Sequence, residues 1–177
     1  GERLAAATQH GEACLQVWER GGKQAFQRQN VVSRSRCMIR RPGSDELIWG
    51  TKTGTLERLD ALEPERALGG LIDPQRAGQG PHRLEVCALA VTPSGQHLAS
   101  VDGTPQKVLG RHRWHERGAN ALLLWDLEAS RLLRRVALQC LVRELAFSPD
   151  GVWLYCLRPD GVIEEWWAPA LLAPESS

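Results

Sequence analysis

Two histidines three residues apart form the pair in this chain whose spacing could hold a metal ion. His112 and His115 lie in the stretch RHRWHER, and this separation can bind a cation from a helix or a turn. No cysteine ligand lies nearby in the sequence, and the arginines on either side would repel a cation. We therefore expect no metal site here, and no other stretch predicts a cofactor.

Motifs that mark common catalytic centres do not occur in the sequence. It contains no GxSxG, no P-loop, no GxGxxG after a strand and no HExxH. The sequence therefore predicts no catalytic residues and favours a protein that is not an enzyme.

The segment GTPQKVLGRHRWHERGA, residues 103–119, combines positive charge with a tryptophan. Its local charge is +3 around Trp114, with Glu116 as its acidic residue, and the basic residues are Lys107, Arg111, Arg113 and Arg117. Binding often uses long loops on rigid scaffolds, and tryptophan with arginine is typical of interface hot spots. Two hypotheses remain open: a docking loop for an acidic protein surface or a phosphate, and a solvated insertion with Trp114 folded back.

Length, charge and cysteine content limit the class of protein. The chain has 177 residues, a single-domain size, and its net charge of +1 gives no overall attraction to nucleic acid or membranes. No apolar run is long enough to cross a bilayer, and the first residues have no signal-peptide pattern. Five scattered cysteines favour reduced thiols in an intracellular protein, in the cytoplasm rather than the nucleus.

Short strands between tight turns are the elements that would position these residues. The triplet Pro-Asp-Gly occurs twice in residues 145–167, and each copy predicts a tight turn. The seven residues between them, VWLYCLR, are apolar on both faces of a strand. We expect this strand to be covered on both sides by other sheets.

Related turns and strand ends recur along the chain. The turn SPDG at 148–151 has counterparts in TPSG at 92–95 and, more loosely, in RPGSD at 41–45. Strands with a large apolar residue near their ends reach Trp18, Leu59, Trp125 and Trp166, at intervals of 41, 66 and 41. Insertions around 71–81 and 103–119 account for the longer interval. A period of about 41 with several short strands per unit is typical of a propeller blade.

Two stretches resemble the WD-repeat β-propeller family. HRLEVCALAVTPSGQHLAS, followed after the insertion by NALLLWD, is similar to one of its units, and LVRELAFSPDG is similar to the same strand of the next. The resemblance is strong over 82–167 and weak over 1–60. It implies an internal hydrogen-bonded network that supports the fold, formed by His82, Ser100, Asp102 and Trp125.

The predicted fold is all-β, a partial β-propeller of about four antiparallel blades. The blades span 1–30, 31–70, 82–138 with the insertion 103–119, and 139–177. RLAAATQ aligns with the second strand of a blade, while Pro169 and Pro174 disfavour a fourth strand at the other end. We expect the C-terminal half of a ring of about seven blades, completed by a preceding segment, a partner chain or a second copy. One alternative treats 122–138 as an amphipathic helix.

The seven tryptophans divide into expected core and expected surface positions. Tryptophans at the repeat positions and in inner strands are predicted to pack in the core, and these are Trp18, Trp49, Trp125, Trp153 and Trp166. Trp114 and Trp167 remain as exposed anchors for a partner.

The sequence favours a noncatalytic scaffold that binds protein partners through its loops and one rim. One alternative is a sensing domain attached to a signalling enzyme or ATPase in a larger parent protein. Another is nucleic-acid binding through the insertion and a second basic cluster, formed by Arg34, Arg36, Arg40 and Arg41. The near-neutral total charge makes nucleic acid the less favoured partner, and we expect no membrane partner.

Overall fold

The structure is a computed structural model that describes residues 3–8, 14–19, 24–29, 37–63, 68–76, 80–103, 105–108, 111–114 and 120–173. These residues form antiparallel sheets and very little helix. The predicted all-β class is confirmed. The helix present, α1, spans Ala168–Leu172, and a single 3-10 turn spans Pro74–Arg76. No helix in the described ranges is long and apolar enough to cross a bilayer.

The strands follow one another as meanders. The first sheet contains β1 (Arg3–Thr8), β2 (Cys14–Glu19) and β3 (Gln24–Gln29). The second sheet contains β4 (Cys37–Arg40), β5 (Glu46–Gly50) and β6 (Leu56–Asp60). The third sheet contains β7 (Val86–Val91), β8 (His97–Asp102), β11 (Asn120–Asp126) and β12 (Arg131–Leu138). The fourth sheet contains β13 (Glu144–Phe147), β14 (Trp153–Leu157) and β15 (Ile163–Trp167).

The two Pro-Asp-Gly triplets form the turns on either side of β14. Gly151 and Gly161 have φ angles of 74° and 85°, in the left-handed region that a residue without Cβ enters at little cost. In each turn the aspartate accepts a hydrogen bond two residues on, from Val152 N at 3.0 Å and from Val162 N at 3.2 Å. The predicted turns are confirmed.

Residues 120–138 form two strands, so the helical alternative for 122–138 is wrong. β11 pairs antiparallel with both β8 and β12, and a turn at 127–130 joins it to β12. Leu122, Leu123 and Leu124 are consecutive and fully buried. An amphipathic helix would leave one face in water, whereas the central strand of a covered sheet buries both faces.

Part of the insertion 103–119 is a β-hairpin, although the sequence analysis expected a long loop. β9 (Pro105–Val108) pairs antiparallel with β10 (Arg111–Trp114) in a separate two-stranded ladder. The signal that the sequence analysis missed is Gly110, the second of two residues between strands of equal length. A two-residue connection containing glycine is a common hairpin pattern.

The third sheet packs between the second and the fourth, and we call these three sheets the stack. β7 lies beside β4 on one side and β13 on the other, so the first strands of the three sheets are neighbours. Leu98, Leu123 and Trp125 pack with Ile48 and Leu56 of the second sheet. Residues on the opposite face pack with Leu154 and Cys156 of the fourth sheet, and these are Ala90, Ala99, Leu122 and Leu124. Strands β7, β8 and β11 of the third sheet are therefore largely buried on both faces.

Arginine side chains link successive sheets at their outer strands. Arg58 of β6 pairs with Glu46 and donates to Ser130 Oγ at 2.6 Å, in the turn between β11 and β12. Arg134 of β12 donates to the carbonyl oxygens of Ala170 and Ala173 at 2.8 and 3.2 Å, at the end of α1. These bonds hold neighbouring elements of the stack in one arrangement.

The four cysteines whose side chains are described are free thiols. Burial raises the pKa of Cys37, Cys87 and Cys156 to about 12 each. A thiol with so high a pKa is almost entirely protonated at neutral pH and is a poor nucleophile. These three cysteines therefore act as small apolar side chains in the core.

Candidate functional site

A buried polar network lies at the start of the third sheet, and it contains His82, Ser100, Asp102 and Trp125. His82 Nε2 is 2.8 Å from Ser100 Oγ, and Trp125 Nε1 donates to the same oxygen at 2.9 Å. His82 Nδ1 lies 3.6 Å from Asp102 Oδ2. The structure thus brings together the four residues that the sequence analysis selected.

Asp102 joins two chain segments to β8 through backbone hydrogen bonds. Its Oδ1 accepts from Ala121 N at 2.7 Å, at the start of β11. Its Oδ2 accepts from Arg83 N and Leu84 N at 3.1 and 3.3 Å. One buried carboxylate therefore satisfies three backbone N–H groups that would otherwise lack an acceptor away from water.

The carboxylate of Asp102 decides the proton positions in the network. Because an ionised carboxylate can only accept, the ring proton of neutral His82 is assigned to Nδ1, which faces Asp102 Oδ2 at 3.6 Å, and Nε2 then accepts from Ser100 Oγ. Burial lowers the pKa of His82, and the nearby Asp102 opposes this without reversing it. Burial alone would raise the pKa of Asp102, but the nearby His82 and the hydrogen bonds from Ala121 N and Arg83 N outweigh it, and the pKa is lowered.

These shifts predict a loss of stability on mild acidification. The ordinary pKa of histidine is 6.5, so below that pH the unfolded chain takes up a proton at His82 that the folded chain does not bind. We expect the free energy of unfolding to fall between pH 7 and pH 5, by up to about 1.4 kcal/mol per pH unit for this one proton. Urea unfolding followed by circular dichroism at several pH values measures the slope.

The variant His82→Gln provides the comparison for this pH dependence. Its neutral amide takes up no proton, so its slope between pH 7 and pH 5 should be shallower than that of the wild type. An unchanged slope would show that groups other than His82 cause the loss.

The network has the residue types of a Ser-His-Asp triad but is closed to substrates. Ser100 and Asp102 are 0% exposed and His82 is 2% exposed. Nucleophilic catalysis requires a hydroxyl that a substrate can reach, whereas Ser100 Oγ is held between the imidazole and the indole. The arrangement stabilises the packing of the third sheet and supplies no accessible reactive group.

The second notable surface is the outer face of the fourth sheet, which we call the open face. The strand registers place Trp153 opposite Trp167, Tyr155 opposite Glu165, and Leu157 opposite Ile163. Trp167 is 56% exposed and Ile163 is 60% exposed. A cavity of about 450 Å³ lies on this face, lined by Glu144, Leu145, Ala146, Tyr155, Leu157, Ile163 and Glu165.

The open face corrects two expectations. β14 was expected to be covered on both sides, but only Leu154 and Cys156 of this strand are buried, against the third sheet. Trp153 was assigned to the core, but it is 39% exposed because strand alternation places it on the other face. Trp167, selected as an exposed anchor, lies beside it.

Four candidate residues of the insertion lie in the two strands of the hairpin. The backbone of Lys107 pairs with His112 in the register, and Arg111, Arg113 and Trp114 belong to β10. Arg117 and His115 lie outside the described residues. Among the residues that the structure describes, no group of three or more histidine, cysteine or acidic side chains is arranged to hold a metal ion.

Two arginines of the second basic cluster are neutralised by acidic neighbours. Arg40 forms an ion pair with Asp45 at 2.8 Å. Arg41 pairs with Glu46 at 3.1 Å and also donates to the Gly95 carbonyl at 2.6 Å. Arg34 and Arg36 lie outside the described ranges. Because Arg58 shares Glu46 with Arg41, this neutralisation is partial, but the guanidinium groups of Arg40 and Arg41 are both engaged rather than free.

No known family model matches the chain, and no curated protein shows significant similarity to it. The resemblance to the WD-repeat family therefore stays a prediction from the quoted motifs.

Proposed function

We propose that this chain is part of a WD-repeat-like β-propeller and acts as a noncatalytic scaffold that binds protein partners. Two features support the architecture. Consecutive antiparallel sheets pack face to face with their first strands adjacent, as radially arranged blades would. A hydrogen-bonded network occurs at the positions that the family resemblance assigns to it.

The observation that carries the binding proposal is the open face. The corresponding residues of the third sheet, among them Ala99, Leu122 and Leu124, are fully buried against the fourth sheet. On the fourth sheet the same kind of surface exposes two tryptophans and an isoleucine next to a concave groove. Apolar patches that combine aromatic side chains with a groove mark protein interaction sites.

The mechanism of binding is preorganisation. Trp153 and Trp167 lie on paired strands of a sheet whose opposite face is packed on the third sheet. Because the backbone is already fixed, a partner that docks here pays little for ordering the scaffold. One kind of partner that this surface suits is the remaining part of a propeller, supplied by the parent chain or by another protein.

The ion pairs of Arg40 and Arg41 favour protein over nucleic acid as the partner. Binding to a nucleic acid depends mainly on lysine and arginine side chains free to contact phosphates. Arg41 is held between Glu46 and the Gly95 carbonyl, so phosphate binding would require both contacts to be given up.

The double substitution Trp153→Ser and Trp167→Ser tests the scaffold proposal. We expect the wild-type chain to capture a reproducible set of proteins from a cell extract, and the double variant to lose most of them. The physical reason is the loss of the two aromatic anchors, each worth about 2 kcal/mol at an interface hot spot. Affinity capture with quantitative mass spectrometry measures the difference.

A matched control removes exposed apolar area elsewhere. Leu62 and Ile72 are 54% and 61% exposed and do not belong to the open face. The double variant Leu62→Ser and Ile72→Ser should keep the captured proteins. If both double variants lose the same proteins, or if neither loses any, the open face is not the binding surface.

A further inference from the structure

The open face differs in charge from its buried counterpart on the third sheet. Counting from the equivalent turn glycines, Gly95 and Gly151, Tyr155 corresponds to Ala99. Glu165 pairs with Tyr155 in the register as Leu124 pairs with Ala99, so Glu165 occupies the position of a buried leucine. The surface that covers the open face must therefore satisfy a carboxylate at a position where the third sheet has a buried leucine.

Glu165 is exposed and forms no ion pair or side-chain hydrogen bond with any described residue. A second carboxylate, that of Glu144, lies at the other side of the groove. Glu144 is paired with Arg143 at 3.7 Å, and both side chains are well exposed. The groove is thus apolar along its floor and negative at its edges, with one carboxylate already paired.

Burying a carboxylate under a partner costs several kcal/mol unless the partner brings an opposite charge or a donor. Arginine and lysine meet this requirement, and their cationic groups also pack favourably on tryptophan rings. Trp167 and Trp153 lie next to Glu165 and Tyr155 along the same face, so a basic side chain could reach both kinds of group.

We propose that the open face binds an aliphatic and basic segment of a partner protein. Its aliphatic side chains fill the groove over Leu157 and Ile163, and an arginine or lysine pairs with Glu165. The groove volume of about 450 Å³ lies within the range of roughly 300–1,000 Å³ that is usual for ligand-binding clefts. This partner chemistry is opposite to the acidic surface expected for the insertion 103–119. The inference rests on the proposed scaffold function and specifies which partners this face selects.

The test uses the full 177-residue chain and two fluorescein-labelled nonapeptides as probes. One peptide alternates leucine and arginine, and the other alternates leucine and glutamate. Fluorescence anisotropy at fixed salt measures both affinities. We expect the arginine peptide to bind at least tenfold more tightly than the glutamate peptide, with an affinity that falls as salt rises.

Glu165→Gln is the decisive variant, since it keeps the shape of the side chain and removes the charge. It should lower the affinity for the arginine peptide roughly tenfold and should not lower the affinity for the glutamate peptide. Glu128→Gln, which neutralises an exposed carboxylate in the turn between β11 and β12, should keep the wild-type affinities. Glu165→Leu restores the residue type of the third sheet and should fold as the wild type does while losing the preference for arginine.

Three results of the peptide experiment would overturn the proposal: equal binding of both peptides, unchanged affinity in Glu165→Gln, or an equal loss in Glu128→Gln. A chain that forms dimers through this face, dissociated by Trp167→Ser in light scattering, would also overturn it, because the occupant would be a second copy. Failure of the scaffold function is distinguishable. In that case the wild-type chain captures no proteins through the open face, whatever the peptides show.

Discussion

Replacing Trp125 by alanine is expected to lower the free energy of unfolding by about 3–5 kcal/mol. The indole is 0% exposed and packs between the second and third sheets with Ile48 and Leu56. Its removal leaves a large cavity in the stack, and it also takes away the hydrogen bond to Ser100 Oγ. Chemical denaturation followed by far-ultraviolet circular dichroism measures the change.

Two further substitutions separate the causes of this loss. Trp125→Phe keeps most of the ring and loses the N–H donor, so it should cost distinctly less than alanine. Trp167→Ala removes a tryptophan that is 56% exposed and should cost under about 1 kcal/mol. Equal destabilisation by Trp125→Ala and Trp167→Ala would show that Trp125 does not stabilise the packing between the second and third sheets.

Replacing Asp102 by alanine is expected to cost about 3–5 kcal/mol, although the side chain is small. The substitution leaves the backbone N–H groups of Ala121, Arg83 and Leu84 without their acceptor in a buried environment. Each unsatisfied buried donor costs about 1–3 kcal/mol. Water molecules that enter the site and bind these donors would reduce this cost. The same denaturation experiment at pH 7 gives the value.

Asp102→Asn is the matched variant for this prediction. Asparagine keeps one of the two acceptor oxygens, loses the charge and turns an NH2 group toward the remaining backbone N–H groups, so it should restore only part of the stability that alanine loses. A cost under about 1 kcal/mol for both variants would mean that water replaces the carboxylate, and that the 83–84 segment and β11 do not depend on it.

The local parts of the fold were predictable from the sequence because short-range chemistry determines them. The Pro-Asp-Gly triplets predicted the turns around β14, and turn residues need only their own neighbours. The resemblance selected His82 and Ser100, which are 18 residues apart, and the structure places them in hydrogen-bonding distance. The hairpin in the insertion was missed because a Leu-Gly connection is a weaker signal than Asn-Gly.

The exposure of the fourth sheet could not be predicted from the sequence. Alternation shows that Trp153 and Trp167 share a face, but whether another sheet covers that face depends on residues far away in the chain. The sequence of β14 is apolar on both faces, which predicted a covering sheet on each side, whereas among the described residues one sheet packs on this strand. Glu165 is a local sign that this face is exposed, because a carboxylate stands where the buried face of the third sheet has a leucine.

The double cover of the third sheet implies a gradient of local stability along the chain. In a linear array of packed units, each unit's resistance to opening depends on its neighbours. Amide hydrogen exchange in β8 and β11 requires the interfaces on both faces of the third sheet to separate. Exchange in β15 requires the separation of one interface. Fraying should thus begin at the fourth sheet and reach the strands around Ser100 last.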